Sequence, residues 1–414
     1  MSIVLAFSGG LDTSFCVPYL RETYDRPVHT ITVHTGGFSE ADLAEAEGRA
    51  HALGAASHTV IDARARLYDE VLSYLVKGNV LRGNVYPLCV GPERVVQAQE
   101  VVAHAAQLGA TTIAHGSTGA GNDQVRFDTA LRLLAERTLS SGVGAGPVEV
   151  LAPIRALGLT REASTDYLRE RGVEVPPKTT AYSVNHGLWG TTVGGVETHR
   201  PDGVLPEDAW PDTVSPSSAP DTPQRLTIAF EQGVPVALDG DALAPVALVE
   251  RLHTEGAQHG IGRGVHVGDT ILGIKGRVGF EAPAALTLIA AHRELEKLVL
   301  TRLQLVQKAT LGDLYGQLVH EGLYFDPVMR DLEAFLDSSQ RRVTGEVEVE
   351  WFKGAIRVLG ARSPFSLFSA DVAQYGEVNT LWDGRDAEGF TRLYGLQAQL
   401  AARVGTRVDG TTNQ

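Results

Sequence analysis

Five short apolar runs, partly β-branched, alternate with helix-length segments through the first 154 residues, and this rhythm allows few architectures. The runs are Ile3–Phe7, "VHTITVHTGG" (Val28 to Gly37), "ASHTVIDA" (Ala56 to Ala63), "TTIAHGSTG" (Thr111 to Gly119) and "VEVLAPI" (Val148 to Ile154). Segments such as Arg94 to Leu108 separate them with helical spacing. A strand–helix–strand alternation of this kind predicts an α/β fold, a parallel sheet with helices on both faces. Three of the runs end in glycine and hydroxyl residues: Ser8-Gly9-Gly10, Thr35-Gly36-Gly37 and Ser117-Thr118-Gly119. Open α/β sheets bind ligands at the carboxyl ends of their strands, so these turns are expected to line one cleft.

The pattern changes after a Pro- and Asp-rich connection from Glu197 to Pro223. Leu226 to Gly240 reads as a hairpin turning at Gln232-Gly233, and "EVEVEWFKGAIRVLG" (Glu346 to Gly360) reads as a second strand pair. Between them Ala284 to Thr310 reads as one helix, and Asp326 to Ser338 as another with Asp326 as N-cap and Pro327 in its first turn. Asp386 to Val404 carries Phe390, Leu393, Leu396 and Leu400 at helical spacing and is expected to be one amphipathic helix ending at Gly405. The expected division is an α/β domain over 1–170, an α+β domain over 171–384, and a terminal helix and tail over 385–414.

Composition narrows the function. A chain of 414 residues, 43% hydrophobic, can bury a large core, and a net charge of -14 argues against a broad surface for nucleic acid or anionic membrane. The start lacks a basic leader and no apolar run is long enough to span a membrane, which points to the cytoplasm. The two cysteines, Cys16 and Cys89, have neither metal-ligand nor disulfide-framework spacing and are expected to be core thiols. His115 and His259 read as orienting or structural residues, and Trp189, Trp351 and Trp382 as packing residues.

"AFSGGLDTS" (Ala6 to Ser14) follows the first strand and opens a helix, so it aims free backbone N–H groups at an anion. No lysine follows, and the chain has no G-x-x-x-x-G-K-[ST], which excludes the loop that holds a γ-phosphate for transfer. Ser-Gly-Gly-x-Asp-[Ser/Thr] resembles the PP-loop of the N-type ATP pyrophosphatases, which split ATP between its α- and β-phosphates. Asp12 beside phosphates calls for Mg²⁺ to bridge them.

"HGSTGAGNDQVRFD" (His115 to Asp128) sets Thr118, Asn122, Asp123 and Arg126 around two glycines. A structural reading has Asn122 and Asp123 capping the next helix while Arg126 pairs with Asp128. A functional reading has an arginine for a carboxylate and an aspartate for an ammonium, a site for a zwitterionic amino acid. With the PP-loop, this segment resembles the argininosuccinate synthase family. The resemblance continues through "YPL" (Tyr86 to Leu88), "AYSVNHGLWG" (Ala181 to Gly190), "PVALDG" (Pro235 to Gly240), "HGIGR" (His259 to Arg263), "GIKGR" (Gly273 to Arg277) and "VTGEVEVEWFKG" (Val343 to Gly354).

The resemblance implies that Ala6, Phe7, Ser8, Gly9, Gly10, Leu11, Asp12, Thr13, Ser14, the Val33 backbone and Gly116 hold ATP. It implies Thr118, Asn122 and Asp123 for aspartate, and Tyr86, Asn122, Arg126, Ser183 and Thr192 for citrulline. Asp12, Asp123 and Arg126 are then the catalytic candidates, with Asp123 able to receive a proton from the aspartate ammonium. The implied reaction passes through a citrullyl-adenylate with release of pyrophosphate, and then yields argininosuccinate and AMP. It also implies an ATP-binding PP-loop domain, a synthetase domain that takes part in oligomerisation, and a homotetramer.

Three positions depart from the family pattern. Gly91 stands where the family has serine, Gly268 where it has glutamate and Phe280 where it has tyrosine, all citrulline contacts in the family. Their uncompensated loss would weaken binding by around a hundredfold. Asp269 and Glu281, next in sequence, are candidate substitutes; alternatively the acceptor is an N-acylated citrulline. Ala120 stands where the family has lysine. Two rival readings remain: a tRNA-modifying PP-loop enzyme, for which the cysteine pair and basic surface are missing, and a catalytically silent nucleotide sensor.

Overall fold

The computed structural model describes residues 2–119, 121–139, 148–174, 182–369 and 381–408. Ala120 and Ala181, named in the motifs above, lie outside these. Strands β1 (Ile3–Ala6), β2 (Val28–His34), β3 (Ser57–Asp62), β4 (Thr112–Ala114) and β5 (Glu149–Leu151) form one parallel sheet in the order β3-β2-β1-β4-β5. β1 is central and buried, as an apolar run flanked by parallel neighbours must be. Cys16 and Cys89 are buried free thiols in the core.

The second half of this unit is antiparallel. β6 (Ser183–Asn185) and β7 (Thr191–Gly194) join β11 (Arg263–Asp269) and β12 (Lys275–Glu281) in the order β11-β12-β7-β6. β8 (Gln224–Glu231), β9 (Val234–Leu238), β10 (Asp241–Ala242), β13 (Gly345–Phe352) and β14 (Ala355–Arg362) form the other sheet, ordered β10-β9-β8-β13-β14. The two hairpins turn at Gln232-Gly233 and Lys353-Gly354, all four residues with positive φ, as tight turns between twisted strands require. Both sheets and the parallel sheet belong to one compact unit, Met1–Phe365.

The stretch read as one helix over Ala284 to Thr310 is two, Pro283–Val299 and Arg302–Glu321. Thr301 breaks it: its hydroxyl accepts from the Gln304 N–H and the Gln304 side chain accepts from the Thr301 N–H, a capping box that starts a new helix. The next helix runs Val328–Gln340 with Pro327, not Asp326, at its N-cap; the Asp326 carboxylate accepts from the Val328 N–H from one residue further out. The second unit, Ser366–Gln414, also differs from expectation: Gly395 divides its helix into Gly384–Tyr394 and Leu396–Val408, and the latter continues past Gly405. Trp382 in this unit is 47% exposed and so is no core residue, whereas Trp189 and Trp351 are buried.

A buried polar network ties the three helices Pro283–Val299, Arg302–Glu321 and Val328–Gln340. Lys308 Nζ lies 2.9 Å from Glu296 Oε2, Gln340 Nε2 donates to Glu296 Oε1, and His292 sits between Asn79 and Gln340. Burial pushes the His292 imidazole down to about 4 from 6.5. The folded protein therefore refuses a proton that the unfolded chain accepts below 6.5, so this stability is intact above 6.5 and is lost as pH falls toward 4. The loss is about 3 kcal/mol. Urea midpoints measured at pH 7 and 4.5 should show a smaller acid loss in His292→Gln than in the unaltered protein; equal losses would assign acid lability elsewhere.

Candidate functional site

The carboxyl ends of β1, β2 and β4 open into one cleft of about 860 Å³, closed on its far side by β6, β7, β11 and β12. Of the residues expected at the site, Ala6, Phe7, Ser8, Gly10, Leu11, Asp12, Thr13, Val33, Gly116, Thr118, Asn122, Asp123, Tyr86, Arg126, Ser183 and Thr192 all line it. Gly9 and Ser14 do not.

At the first end, Gly9 adopts φ +75 so that the chain can turn sharply from β1 into the helix Leu11–Tyr24. The Thr13 hydroxyl donates to Gly10 O and accepts from Ser8 N–H, and the buried Ser14 hydroxyl turns inward to Gly9 O. These bonds stiffen the turn. The helix has no side-chain N-cap, so its first N–H groups remain for an anion. A Cβ on Gly116 would lie 2.9 Å from Thr13 Cγ2 and 3.1 Å from Thr13 N, so glycine there lets β4 approach the loop. Burial raises the Asp12 carboxyl, with Arg161 opposing.

In the middle, Arg94 donates twice to Asp123 Oδ2, both at 3.0 Å, and Arg126 donates to Asp123 Oδ1 at 2.9 Å. Burial alone would raise the Asp123 carboxyl, but the two guanidiniums prevail and hold it below the usual carboxylate range. Arg126 also donates to the His320 carbonyl at 2.8 Å and to His320 Nδ1 at 3.1 Å. It does not pair with Asp128, which instead takes His115 at 2.8 Å and Arg155 at 2.7 Å. Asn122 Oδ1 accepts from the Ile271 N–H, which pins this loop to the β11–β12 turn. Glu93 is buried beside Arg94, and burial pushes its carboxyl up to about 8.

At the other end, Tyr86 stacks on His266 and packs against Phe280, while Thr192 accepts from Asn185. The departures from the family pattern resolve here. Glu281 is no substitute for a lost contact: its carboxylate accepts from the Thr213 N–H and hydroxyl and from the Asp212 N–H, and it does not line the cleft. Asp269 lines the cleft, but its carboxylate pairs with Lys275 at 2.7 Å. Phe280 is buried against Tyr86.

Arg94, His266 and His320 were not anticipated. Arg94 follows "YPL" by six residues in a mostly apolar helix, where a charged residue among Val95, Val96 and Ala98 is itself a signal. His320 arrives from a helix 194 positions after Arg126, and no local pattern announces it.

Residues 2–174 match the family described as Arginosuccinate synthase N-terminal HUP domain, and residues 182–401 match Arginosuccinate synthase C-terminal domain. The argininosuccinate synthase of Methanocaldococcus jannaschii is 38% identical over 397 residues, covering 96% of this chain and 97% of that one. Those of Methanopyrus kandleri and Xanthomonas campestris pv. campestris are each 41% identical, over 403 and 408 residues, covering 97% of this chain and 98% of theirs.

Proposed function

Because the chain belongs to the argininosuccinate synthase family, we propose a division of its cleft in which the two ends take ATP and citrulline and Asp123, held by Arg94 and Arg126, takes aspartate. The reaction is the ATP-dependent ligation of citrulline and aspartate. One observation carries the assignment: Ser8–Thr13, Thr118–Arg126 and Tyr86, far apart in sequence, line a single cleft.

In this reading the N–H groups of the Ser8–Ser14 turn, with Ser8 and Thr13, meet the charge that develops on departing pyrophosphate when the citrulline ureido oxygen attacks the α-phosphorus. Asp12, on the first helical turn and lining the cleft, is the carboxylate that would hold Mg²⁺ together with the phosphates; the ion would neutralise phosphate charge. The aspartate ammonium gives a proton to solvent, and the free amine attacks the activated ureido carbon, forming the C–N bond as the C–O bond to AMP breaks. Asp123, held ionised by two arginines, is a poor proton acceptor and serves to seat the aspartate ammonium, with Thr118 and the Asn122 amide beside it. Arg126, Tyr86, Ser183 and Thr192 seat citrulline. Orientation of three polar reactants in this way is worth about 7 to 11 kcal/mol of barrier.

Residues 1–170 then hold the nucleotide, 171–384 complete the site, and 385–414 offer exposed Phe390, Leu393 and Leu400 for a homotetramer. Among the described residues no helix is long and apolar enough to cross a membrane, which supports work in the cytoplasm. Full-length relatives that are ligases favour neither the silent sensor nor the N-acylated acceptor.

With Mg-ATP, the protein should release pyrophosphate only when citrulline is present, and form argininosuccinate when aspartate is added. Asp12→Asn should reduce the pyrophosphate rate at least tenfold, the scale of one lost charge contact in a transition state. Production of ADP, or release indifferent to citrulline, would overturn the assignment.

A further inference from the structure

The wall around Tyr86 contains a ring that structure alone does not require. The His266 imidazole stacks on Tyr86 with centroids 5.5 Å apart and planes at 17°. Its edges are flanked by two glycines. A Cβ on Gly83 would lie 3.0 Å from His266 Cε1, and one on Gly268 would lie 3.1 Å from Cε1 and closer still to Nε2. The slot is therefore cut to the ring. His266 is 8% exposed, yet its Nε2 has no hydrogen-bond partner among the described residues, and His320, 7% exposed, has the same orphan Nε2. A phenyl ring would fill this slot without burying an unmet polar atom, so packing gives no reason for a histidine.

Both histidines line the cleft. Around them no free ionised carboxylate is available among the described residues. Asp123 is shared between two arginines, Asp269 is paired with Lys275, and Glu281 is turned to Thr213. Arg82 donates to the Asp269 carbonyl and Arg126 to His320, so the remaining charge at this wall is positive. We infer that His266 is a specificity-determining contact of the ureido acceptor: its orphan Nε2 accepts a hydrogen bond from the amino end of citrulline where a carboxylate would otherwise act by charge. Gly268 is glycine because the imidazole needs its space. Burial, and to a smaller degree Arg82, keep the His266 ring unprotonated and so able to accept, whereas on His320 the Nδ1 atom already takes the Arg126 N–H and the ring proton sits on Nε2. This assignment rests on the proposal that the Tyr86 end holds citrulline.

The test pairs a change in the protein with a change in the ligand. Inhibition or turnover by citrulline is compared with that by its analogue lacking the α-amino group, in the unaltered protein and in His266→Phe, which keeps the ring and the stack. The unaltered protein should prefer citrulline by about ten- to a hundredfold, the weight of one hydrogen bond to a charged donor, and His266→Phe should lose most of that preference while KM for ATP stays constant. Gly268→Ala, which displaces the ring, should reproduce the loss and serves if the phenylalanine variant does not fold. A preference that survives both substitutions, or KM values that rise equally for all three substrates, overturns the contact. Unaltered protein that releases no pyrophosphate in response to citrulline overturns the placement of citrulline beneath it, which separates the two failures.

Discussion

Replacing Asp123 by alanine is expected to lower kcat/KM for aspartate by about one to two orders of magnitude. The carboxylate accepts from Arg94 at two atoms and from Arg126 at one, and geometry gives the reason: all three bonds lie within 3.0 Å in a site where Arg94 and Arg126 are largely withdrawn from water. Asp123 itself is 36% exposed, so water screens part of the loss, and removing a charged hydrogen-bond partner here costs about 1.5 to 3 kcal/mol. Asp123→Asn should fall between, because an amide oxygen still accepts from one guanidinium but brings no charge to a substrate ammonium. Pyrophosphate release measured against each substrate in turn checks the role. The effect should be largest on aspartate and smallest on ATP, and an equal fall for all three would make Asp123 a structural clamp only.

Much of this site is legible in the sequence because its chemistry is local. Ser8 to Ser14 compress strand end, turn and helix start into one stretch, and Thr118 to Arg126 place their polar groups on one loop and the first turn of one helix. The parallel sheet is legible for the same reason: each apolar run is short and bounded by turn residues. Reading fails where sequence neighbours point in opposite directions. Side chains alternate across a strand, so with Phe280 facing Tyr86, Glu281 faces Thr213 and cannot stand in for a hydroxyl beside it. It fails again where distant segments supply one group each, as with His320 reaching Arg126. The helix break at Thr301 had a visible signal, Thr-x-x-Gln, but the apolar spacing continues through it and outweighed the cap.

Stability and catalysis meet in the helix Arg302–Glu321, which carries Lys308 near one end and His320 at the other. Lys308→Met is expected to lower the unfolding free energy by about 3 to 5 kcal/mol, because Glu296 would remain buried and charged without its cation. Lys308 and Glu296 are 2% and 1% exposed, so water cannot replace the missing partner. Adding Glu296→Gln should recover part of the loss: the uncompensated charge disappears, and the amide oxygen can still accept from one of Asn79 and Gln340. Urea unfolding at pH 7 of the two single variants and the double variant measures the coupling directly; additive losses would show that the pair does not act as a pair. The 12 positions from Lys308 to His320 span about 18 Å of helix, and a helix that stays folded keeps the His320 carbonyl on Arg126. Well below its unfolding midpoint, Lys308→Met should therefore keep KM for citrulline within about twofold of the unaltered value, a change under about 0.5 kcal/mol. A larger rise would mean that the buried network sets the position of Arg126 as well as the stability of the fold.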